Sequence, residues 1–250
     1  QKLFDRVGKK LVINENGRYL AEQARAAFNI LDEAKQTIQD NEEKKRKSVR
    51  CSTNIPMGNI GAMISGFYKK HPGITISMGY ANSPQFANRA LDMELVSSVV
   101  KIDDENHIPL GKERILVVLP PNHDLADTQD IKLADLKDEP FLFSNPGEFR
   151  AIGEAMCQEA GFSPYVAMEM QLYGEIMSLV ENGLGCCFAG EFTWLSGMEN
   201  TYRFAAKQPS DVERHRYLYV RIPEHRAPTE STWTFINYLQ DYADSLKRND

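Results

Sequence analysis

The chain has 250 residues, 42% of them hydrophobic and 10% aromatic, which is enough for a substantial core in one large or two small domains. Its charge is uneven, because residues 1–50 carry twelve Lys and Arg against eight Asp and Glu (net +4) and residues 51–250 carry net −10. This composition excludes a disordered or fibrous protein, and no stretch reaches the roughly 18 consecutive apolar residues of a membrane span. The first residues lack the apolar core of a signal peptide, so we expect a cytoplasmic protein.

The chain begins with a pattern typical of a small β-hairpin. The apolar-rich runs KLFDRV and KLVIN flank a Gly-Lys-Lys turn at residues 8–10, and Asn14 follows at a helix N-cap position. Two strands alone are marginally stable, so this hairpin must pack against another element. The basic composition suits a polyanion such as nucleic acid, although many basic helices are only solvated surfaces.

A long helix is predicted from Asn14 to about Lys47, and it carries a narrow apolar seam. The seam residues are spaced alternately by four and three positions: Leu20, Ala24, Ala27, Leu31, Ala34 and Ile38. A heptad seam of this kind, about 27 Å long, favours pairing with a second copy of the helix. The alternative is a helix docked on its own body. Because three seam residues are small and bury little area, we expect a further dimer interface elsewhere.

The charged run from Glu42 to Arg50 predicts a linker, and the pattern then changes. Apolar strand-like runs alternate with helical runs near 56–70, 84–92, 148–160, 173–182 and 229–246. The strand-like runs are VRCST, ITISMGY, ELVSSVV, RILVVLP, FLFS, YVAMEM, LGCCFAG and RHRYLYVRI. This alternation indicates an α/β fold with mainly parallel sheets, and its length predicts two lobes.

Three strand-to-helix junctions carry small polar side chains next to a proline. They are Ser52-Thr53-Asn54, Asn82-Ser83-Pro84 and the segment 144–147 (Ser-Asn-Pro-Gly). In α/β sheets, ligands bind at the carboxyl ends of strands, where helix N-termini present free amide groups. Each junction alone could be a helix cap without a ligand, whereas three together favour a binding site.

Four cysteines are present, and their spacing does not match a zinc site. Cys186 and Cys187 lie in an apolar run that predicts a buried strand, and the other two are Cys51 and Cys157. We interpret all four as buried apolar residues and expect no metal or cofactor. A redox switch is the alternative, and it would need an exposed thiol with a lowered pKa.

Several motifs resemble the LysR-type transcriptional regulators. LFDRVGKKLVINENGRYL is similar to the wing and linker-helix entrance of that family, whose usual form is LFxRxGRxVxLTxAGxxLL. VRCSTNIPMGNIGAMISGFYKKHPGITISM resembles the opening strand, helix and strand of its effector domain. ILVVLPPNHDLA and LVENGLGCCFAG resemble two later segments of the same domain, so the resemblance covers almost the whole chain.

The resemblance implies a DNA-binding regulator that acts as a dimer or tetramer through its linker helix. In the family, the DNA-reading helices of a winged helix-turn-helix precede the wing, so we expect them upstream and expect this chain alone not to recognise an operator. Arg6, Lys9 and Lys10 match the basic wing, where such side chains usually contact phosphate or the minor groove. We expect their loss to weaken binding to all sequences alike.

The resemblance also implies a two-lobed effector domain similar to periplasmic solute-binding proteins. By it, residues 1–14 are a wing remnant, 15–48 the linker helix, 49–118 plus 223–250 the first lobe, and 119–222 the second lobe. The strands that cross between lobes are expected near 118–121 and 220–223. The implied effector-binding residues are Ser52, Thr53, Asn54, Ser83, Val100, Lys101, Ser144, Gly147, Phe149, Arg150 and Tyr173.

Two departures from the family pattern limit what the resemblance implies. Val96 stands where the family commonly has an acid, and FSNPGEFR lacks the Ser-Gly-Thr stretch of relatives with an anion-handling pocket. Arg150 remains, and one Arg at a helix start can pair with a carboxylate effector. The alternative is a surface Arg that balances Glu148 or Glu154.

Two other classes of function fit the sequence less well. A solute-binding protein for transport would share the cleft, but the basic hairpin and heptad helix do not suit it. An enzyme is disfavoured because the chain has no GxSxG, Walker or HExxH motif, and NGLGCC lacks the third glycine of a dinucleotide site. The preferred hypothesis is a regulator with an effector that binds one arrangement of the two lobes more tightly than another. This differential affinity would change how far the lobes close.

Overall fold

The computed structural model describes residues 2–39, 47–55, 57–80, 90–144, 148–170, 172–224 and 226–247, without the side chains of 33–39, 148 and 247. The helices are α1 (Glu15–Gln39), α2 (Ile60–Lys70), α3 (Glu148–Glu159), α4 (Tyr173–Glu181) and α5 (Glu230–Lys247). The strands are β1 (Phe4–Val7), β2 (Lys10–Ile13), β3 (Ser48–Thr53), β4 (Thr75–Tyr80), β5 (Met93–Ser98), β6 (His107–Leu119), β7 (Pro140–Ser144), β8 (Tyr165–Met170), β9 (Cys187–Gly190), β10 (Ala205–Lys207) and β11 (His215–Arg221). A π-helical turn at Glu191–Leu195, called the π-turn below, follows β9.

The predicted hairpin and helix cap are confirmed. Strands β1 and β2 pair antiparallel, with Gly8 in the left-handed region at the turn (φ 65°). The Asn14 side-chain oxygen accepts a hydrogen bond from the Gly17 amide at 2.9 Å, which caps α1. A Cβ on Gly17 would lie 2.1 Å from the Leu3 carbonyl oxygen, so the hairpin approaches the first turn of α1 where only glycine fits. The hairpin therefore finds its packing partner in the helix.

The first lobe is built on the strand order β6-β11-β5-β3-β4. Strand β3 pairs parallel with β4 and β5, and α2 and α5 cover the sheet through one apolar core. Phe67 of α2 meets Phe235 of α5 edge to face, with ring centroids 4.8 Å apart. The Tyr238 hydroxyl donates to the Met63 carbonyl at 2.9 Å, which joins the same two helices.

The second lobe uses the other half of β6, which pairs antiparallel with β9 and β10. Strands β7 and β8 pair parallel, and a bridge between Phe141 and Cys186 joins them to the segment that enters β9. Two apolar clusters pack in this lobe, one around Phe141 and Met156 and the other around Met177 and Trp194.

Strand β6 joins the two lobes. Its first part pairs with β11 as far as Arg114 opposite His215, and from Ile115 onward it pairs with β9. Because one continuous strand belongs to both sheets, the lobes meet at this point. The two-lobed α/β architecture is the fold class that the sequence predicts.

Some details differ from the prediction. The sheets are mixed, because β6 and β11 run antiparallel to their neighbours. The first half of β6 was not predicted, since Pro109 and Gly111 are typical of a turn; the register shifts beside them instead. Ser48, assigned to the linker helix, is the first residue of β3. The linker residues 40–46 and most of the helical run near 84–92 lie outside the described residues.

No helix in the described part of the chain is long and apolar enough to cross a membrane.

Candidate effector cleft

A cleft of about 420 Å³ lies between the two lobes. The first lobe contributes Met57 and Gly58, which precede α2, and Tyr80 at the end of β4. The second lobe contributes the start of α4, the π-turn and the short 3-10 turn at Met198–Asn200: Leu172, Tyr173, Gly174, Glu175, Trp194 and Met198. Volume and composition suit a small organic ligand held by apolar walls and a few polar groups.

Aromatic side chains form most of one wall of the cleft. The ring centroid of Tyr173 lies 4.6 Å from that of Trp194, with the planes 74° apart, and Phe149 packs on Trp194 from behind at 5.9 Å. Tyr80 approaches from the first lobe, and its pKa is raised by burial and, to a smaller extent, by the nearby Tyr173 phenol. The two lobes therefore bring tyrosines together across the cleft.

The predicted first-lobe residues gather at one edge of the sheet. The buried Ser52 hydroxyl donates to Glu94 at 3.2 Å, and the Thr53 hydroxyl accepts from the Ile55 amide at 2.9 Å, which closes the turn after β3. Asn54 is exposed beside them, and its amide donates to the Leu95 carbonyl at 3.2 Å. Their side chains lie at the carboxyl end of β3 but do not line the described cleft.

The other predicted effector residues lie in both lobes. Val100 and Lys101 are exposed after β5, Ser144 is buried at the end of β7, and Phe149 lies behind Trp194. Tyr173 is the predicted residue that lines the cleft directly. Ser83 and Gly147 lie outside the described residues.

Arg150 already has carboxylate partners. Its Nε donates to Glu154 at 2.8 Å and its Nη1 donates to Glu169 at 2.7 Å, while the guanidinium lies 5.6 Å from the Phe143 ring centroid. Both hydrogen bonds raise the pKa of Arg150 above its ordinary value, and the bond to Glu154 has the larger effect. Of the two alternatives for Arg150, the structure shows the pairing with Glu154, and it also shows a second pairing with Glu169.

A buried ion pair lies beneath the cleft, where the lobes join. Glu113 of β6 and Arg216 of β11 are each 1% exposed, and Arg216 Nε donates to Glu113 Oε1 at 2.6 Å. Glu113 Oε2 also accepts from the amides of Phe192 and Thr193 at 3.0 and 2.9 Å. The Thr193 hydroxyl donates to Glu113 at 2.9 Å and accepts from Arg216 Nη2 at 2.7 Å. The π-turn is therefore attached to both β6 and β11 near the junction between the lobes.

Sequence reasoning did not identify most of the cleft lining. Tyr80 ends a predicted strand, so the same rule that selected the polar junctions could have selected it. Trp194 had no such signal, because the segment EFTWL has neither helical nor strand periodicity and folds as a π-helical turn. Gly58 carries no side chain, so only the three-dimensional contact reveals its importance.

The basic hairpin and the helix seam are exposed. Arg6, Lys9 and Lys10 are accessible, although Arg6 Nε donates to the Gly8 carbonyl at 3.3 Å. On α1 the side chains of Leu20, Ala27 and Leu31 are exposed and Ala24 is partly so; those of Ala34 and Ile38 lie outside the described part. Further large apolar side chains are exposed on the same helix: Tyr19, Phe28 and Ile30.

The four cysteines are free and buried. Burial raises the pKa of Cys157 and of Cys186 to about 12, and it also raises the pKa of Cys51 and of Cys187. The thiolate is therefore disfavoured at neutral pH, as expected of small apolar residues and unlike a redox-active thiol. The described His, Cys, Asp and Glu side chains include no group of three that could hold a metal ion.

A family model described as the LysR substrate binding domain matches residues 41–244. The transcriptional dual regulator GltC of Bacillus subtilis (strain 168) is 25% identical over an alignment of 255 residues, which covers 98% of this chain and 84% of GltC. The Synechocystis PCC6803 CcmR regulatory domain in complex with 2-PG has a TM-score of 0.65 at 21% identity and covers 78% of this chain and 97% of that chain. The effector binding domain of QuiR in complex with shikimate has a TM-score of 0.61 at 18% identity, with coverage of 79% and 97%. At these identities the structural likeness establishes the fold.

Proposed function

This chain belongs to the LysR family of transcriptional regulators, and from that premise we propose that a small-molecule effector binds between its lobes and controls operator binding. The observation that carries the proposal is the cleft, in which Tyr80 of one lobe faces Tyr173 of the other. A ligand that contacts both lobes stabilises one relative arrangement over another, as a regulator requires. The relatives are regulators, which agrees with a protein that is not an enzyme and works in the cytoplasm with DNA.

We propose a carboxylate as the effector class. The solved structure of the QuiR domain is in complex with shikimate, a carboxylate, and that of the CcmR domain is in complex with 2-PG. In this chain Arg150 follows Phe149, whose ring packs on the cleft residue Trp194, and an incoming carboxylate would take the position of the half-exposed Glu169. Tyr80 and Tyr173, which line the cleft from the two lobes, would add hydrogen bonds to the remaining polar groups of the ligand.

A thermal-shift screen of small carboxylates tests this assignment. A carboxylate present at 100 times its dissociation constant should stabilise the protein by about 2.7 kcal/mol. Arg150→Gln should weaken that carboxylate about 10- to 100-fold, the effect of losing a hydrogen bond to a charged group. The matched control is Arg214→Gln, which removes an exposed pair with Glu159 elsewhere in the second lobe. Equal responses of both variants would contradict a role for Arg150.

We further propose that the hairpin acts as a wing whose lysines contact the DNA backbone. Lys9→Ala and Lys10→Ala, in a chimera that places the helix-turn-helix of GltC before this hairpin, should each weaken binding to all duplexes alike. Each should also reduce the salt slope of binding by about 1, because one fewer counterion is released. Fluorescence anisotropy on the GltC operator and on a scrambled duplex measures both quantities.

The exposed Lys137 provides the control for the wing experiment, since Lys137→Ala removes the same charge from the second lobe. An unchanged salt slope in both wing variants would exclude the backbone contact. Complete absence of sequence-specific binding by the unsubstituted chimera, with and without effector, would contradict the proposed function itself.

For the domain boundaries we propose residues 1–14 as wing and 15–47 as linker arm. The partner exchange of β6 supports a first crossing at Arg114–Ile115, a few residues before the predicted 118–121. The segment 208–214 between β10 and β11 supports the return crossing, before the predicted 220–223. The first lobe would then comprise about 48–114 and 215–247, and the second lobe the residues between.

A further inference from the structure

The lobes contact each other directly at the base of the cleft, through backbone groups. The Gly58 amide, just before α2, donates to the Thr193 carbonyl of the π-turn at 2.7 Å. Next to it, the Asn59 side-chain amide donates to the Phe192 carbonyl at 3.4 Å. We call these two hydrogen bonds the interlobe latch. They join segments 133 and 135 residues apart in the chain, one in each lobe.

The latch requires glycine at position 58 because of the approach between lobes. A Cβ on Gly58 would lie 2.0 Å from the Trp194 carbonyl oxygen and 2.9 Å from Met198 Cγ. Gly58 is not among the glycines with positive φ, so alanine can adopt its backbone conformation. Alanine there is therefore compatible with the first lobe itself and incompatible with the present distance to the second.

The second-lobe side of the latch is attached to the junction between the lobes. Glu113 accepts hydrogen bonds from the amides of Phe192 and Thr193, the two residues whose carbonyls receive the latch. Arg216 fixes that carboxylate in turn, and the whole group is buried. Glu113 lies two residues before Ile115, where β6 changes partners, so a rotation of the first lobe about that point can break the latch while the π-turn keeps its hydrogen bonds to Glu113.

The same turn carries Trp194 into the cleft wall. A movement of the first lobe relative to the π-turn changes the distance from Tyr80 and Met57 to Trp194 and Tyr173. We propose that the interlobe latch sets the closure of the lobes in the absence of a ligand, and that an effector acts on a cleft already biased towards the closed form. This inference rests on the proposed function for its biological meaning, since closure is the change an effector would use.

Gly58→Ala tests the latch in the free protein. Exchange of amide hydrogens in a peptide covering 57–60, which contains the Gly58 donor, should become about tenfold faster, the size expected for loss of one net hydrogen bond. The radius of gyration from small-angle X-ray scattering should rise. Gly61→Ala is the matched control, because a Cβ at Gly61 in α2 would meet nothing within 4 Å. Exchange and scattering unchanged in Gly58→Ala would overturn the proposal.

Asn59→Ala provides a second variant in case Gly58→Ala does not fold. Asn59 is the N-cap residue of α2 but makes no side-chain capping hydrogen bond, so its removal breaks the latch bond to Phe192 without uncapping the helix. Faster exchange in peptide 57–60, which contains the Gly58 donor, supports the latch, and unchanged exchange there argues against it. Both measurements need no effector and no DNA, so they separate failure of the latch from failure of the proposed function.

Discussion

Arg216→Met should destabilise the protein by about 3–5 kcal/mol, more than any exposed substitution in the chain. Glu113 and Arg216 are both buried, and removal of the guanidinium leaves the Glu113 carboxylate buried without its ion-pair partner. The guanidinium also lies 4.8 Å from the Phe149 ring centroid, so packing is lost with the charge. Urea denaturation followed by circular dichroism measures the change.

The control for this prediction is Arg214→Met, two residues earlier in the chain. Its guanidinium pairs with Glu159 but is half-exposed, so its loss should cost no more than about 1 kcal/mol. The two variants remove the same side chain, and only burial distinguishes them. Equal effects would show that Arg216 stabilises the junction no more than a surface arginine does.

The double variant Glu113→Leu/Arg216→Met should not recover the lost stability. In many buried ion pairs, replacement of both partners by apolar residues is nearly neutral. Here Glu113 also accepts from the amides of Phe192 and Thr193, and a leucine would leave both amides without that acceptor. Buried amide groups without an acceptor cost about 1–3 kcal/mol each. Full recovery in the double variant would mean that the π-turn finds other partners.

The sequence predicts the helices and strands of this fold better than it predicts the contacts between them. Asn14, the hairpin before it and the alternating strands and helices are local signals, and the structure confirms them. Glu113 and Arg216 are 103 residues apart, and their pairing depends on how β6 and β11 cross between lobes. Local patterns contain no information on such a pairing.

The cleft residues also divide into those that local patterns predict and those that depend on long-range contacts. Tyr173 starts a predicted helix and the resemblance placed it at the site, whereas Trp194 reaches the cleft only because the π-turn interrupts regular structure after β9. The role of Gly58 follows from the close approach of the Trp194 carbonyl of the other lobe, which leaves no room for a Cβ. Arg150 was identified as a candidate from its position, but its carboxylate partner Glu169 is contributed by β8, 19 residues away.

Leu31→Glu should dissociate a dimer formed through α1. Leu31 is 63% exposed in the single chain and lies on the predicted seam with Leu20, so both are expected to be covered by the partner helix. Each buried leucine contributes about 1.5–3 kcal/mol, and a symmetric dimer loses two, which corresponds to roughly a 100-fold or larger increase in the dissociation constant. Sedimentation equilibrium measures that constant.

Asn29→Glu is the matched control, because it adds the same charge to the exposed face of α1 opposite the seam. If Leu31→Glu and Asn29→Glu dissociate at the same concentration as the unsubstituted chain, the seam is not the interface and α1 must be covered in another way.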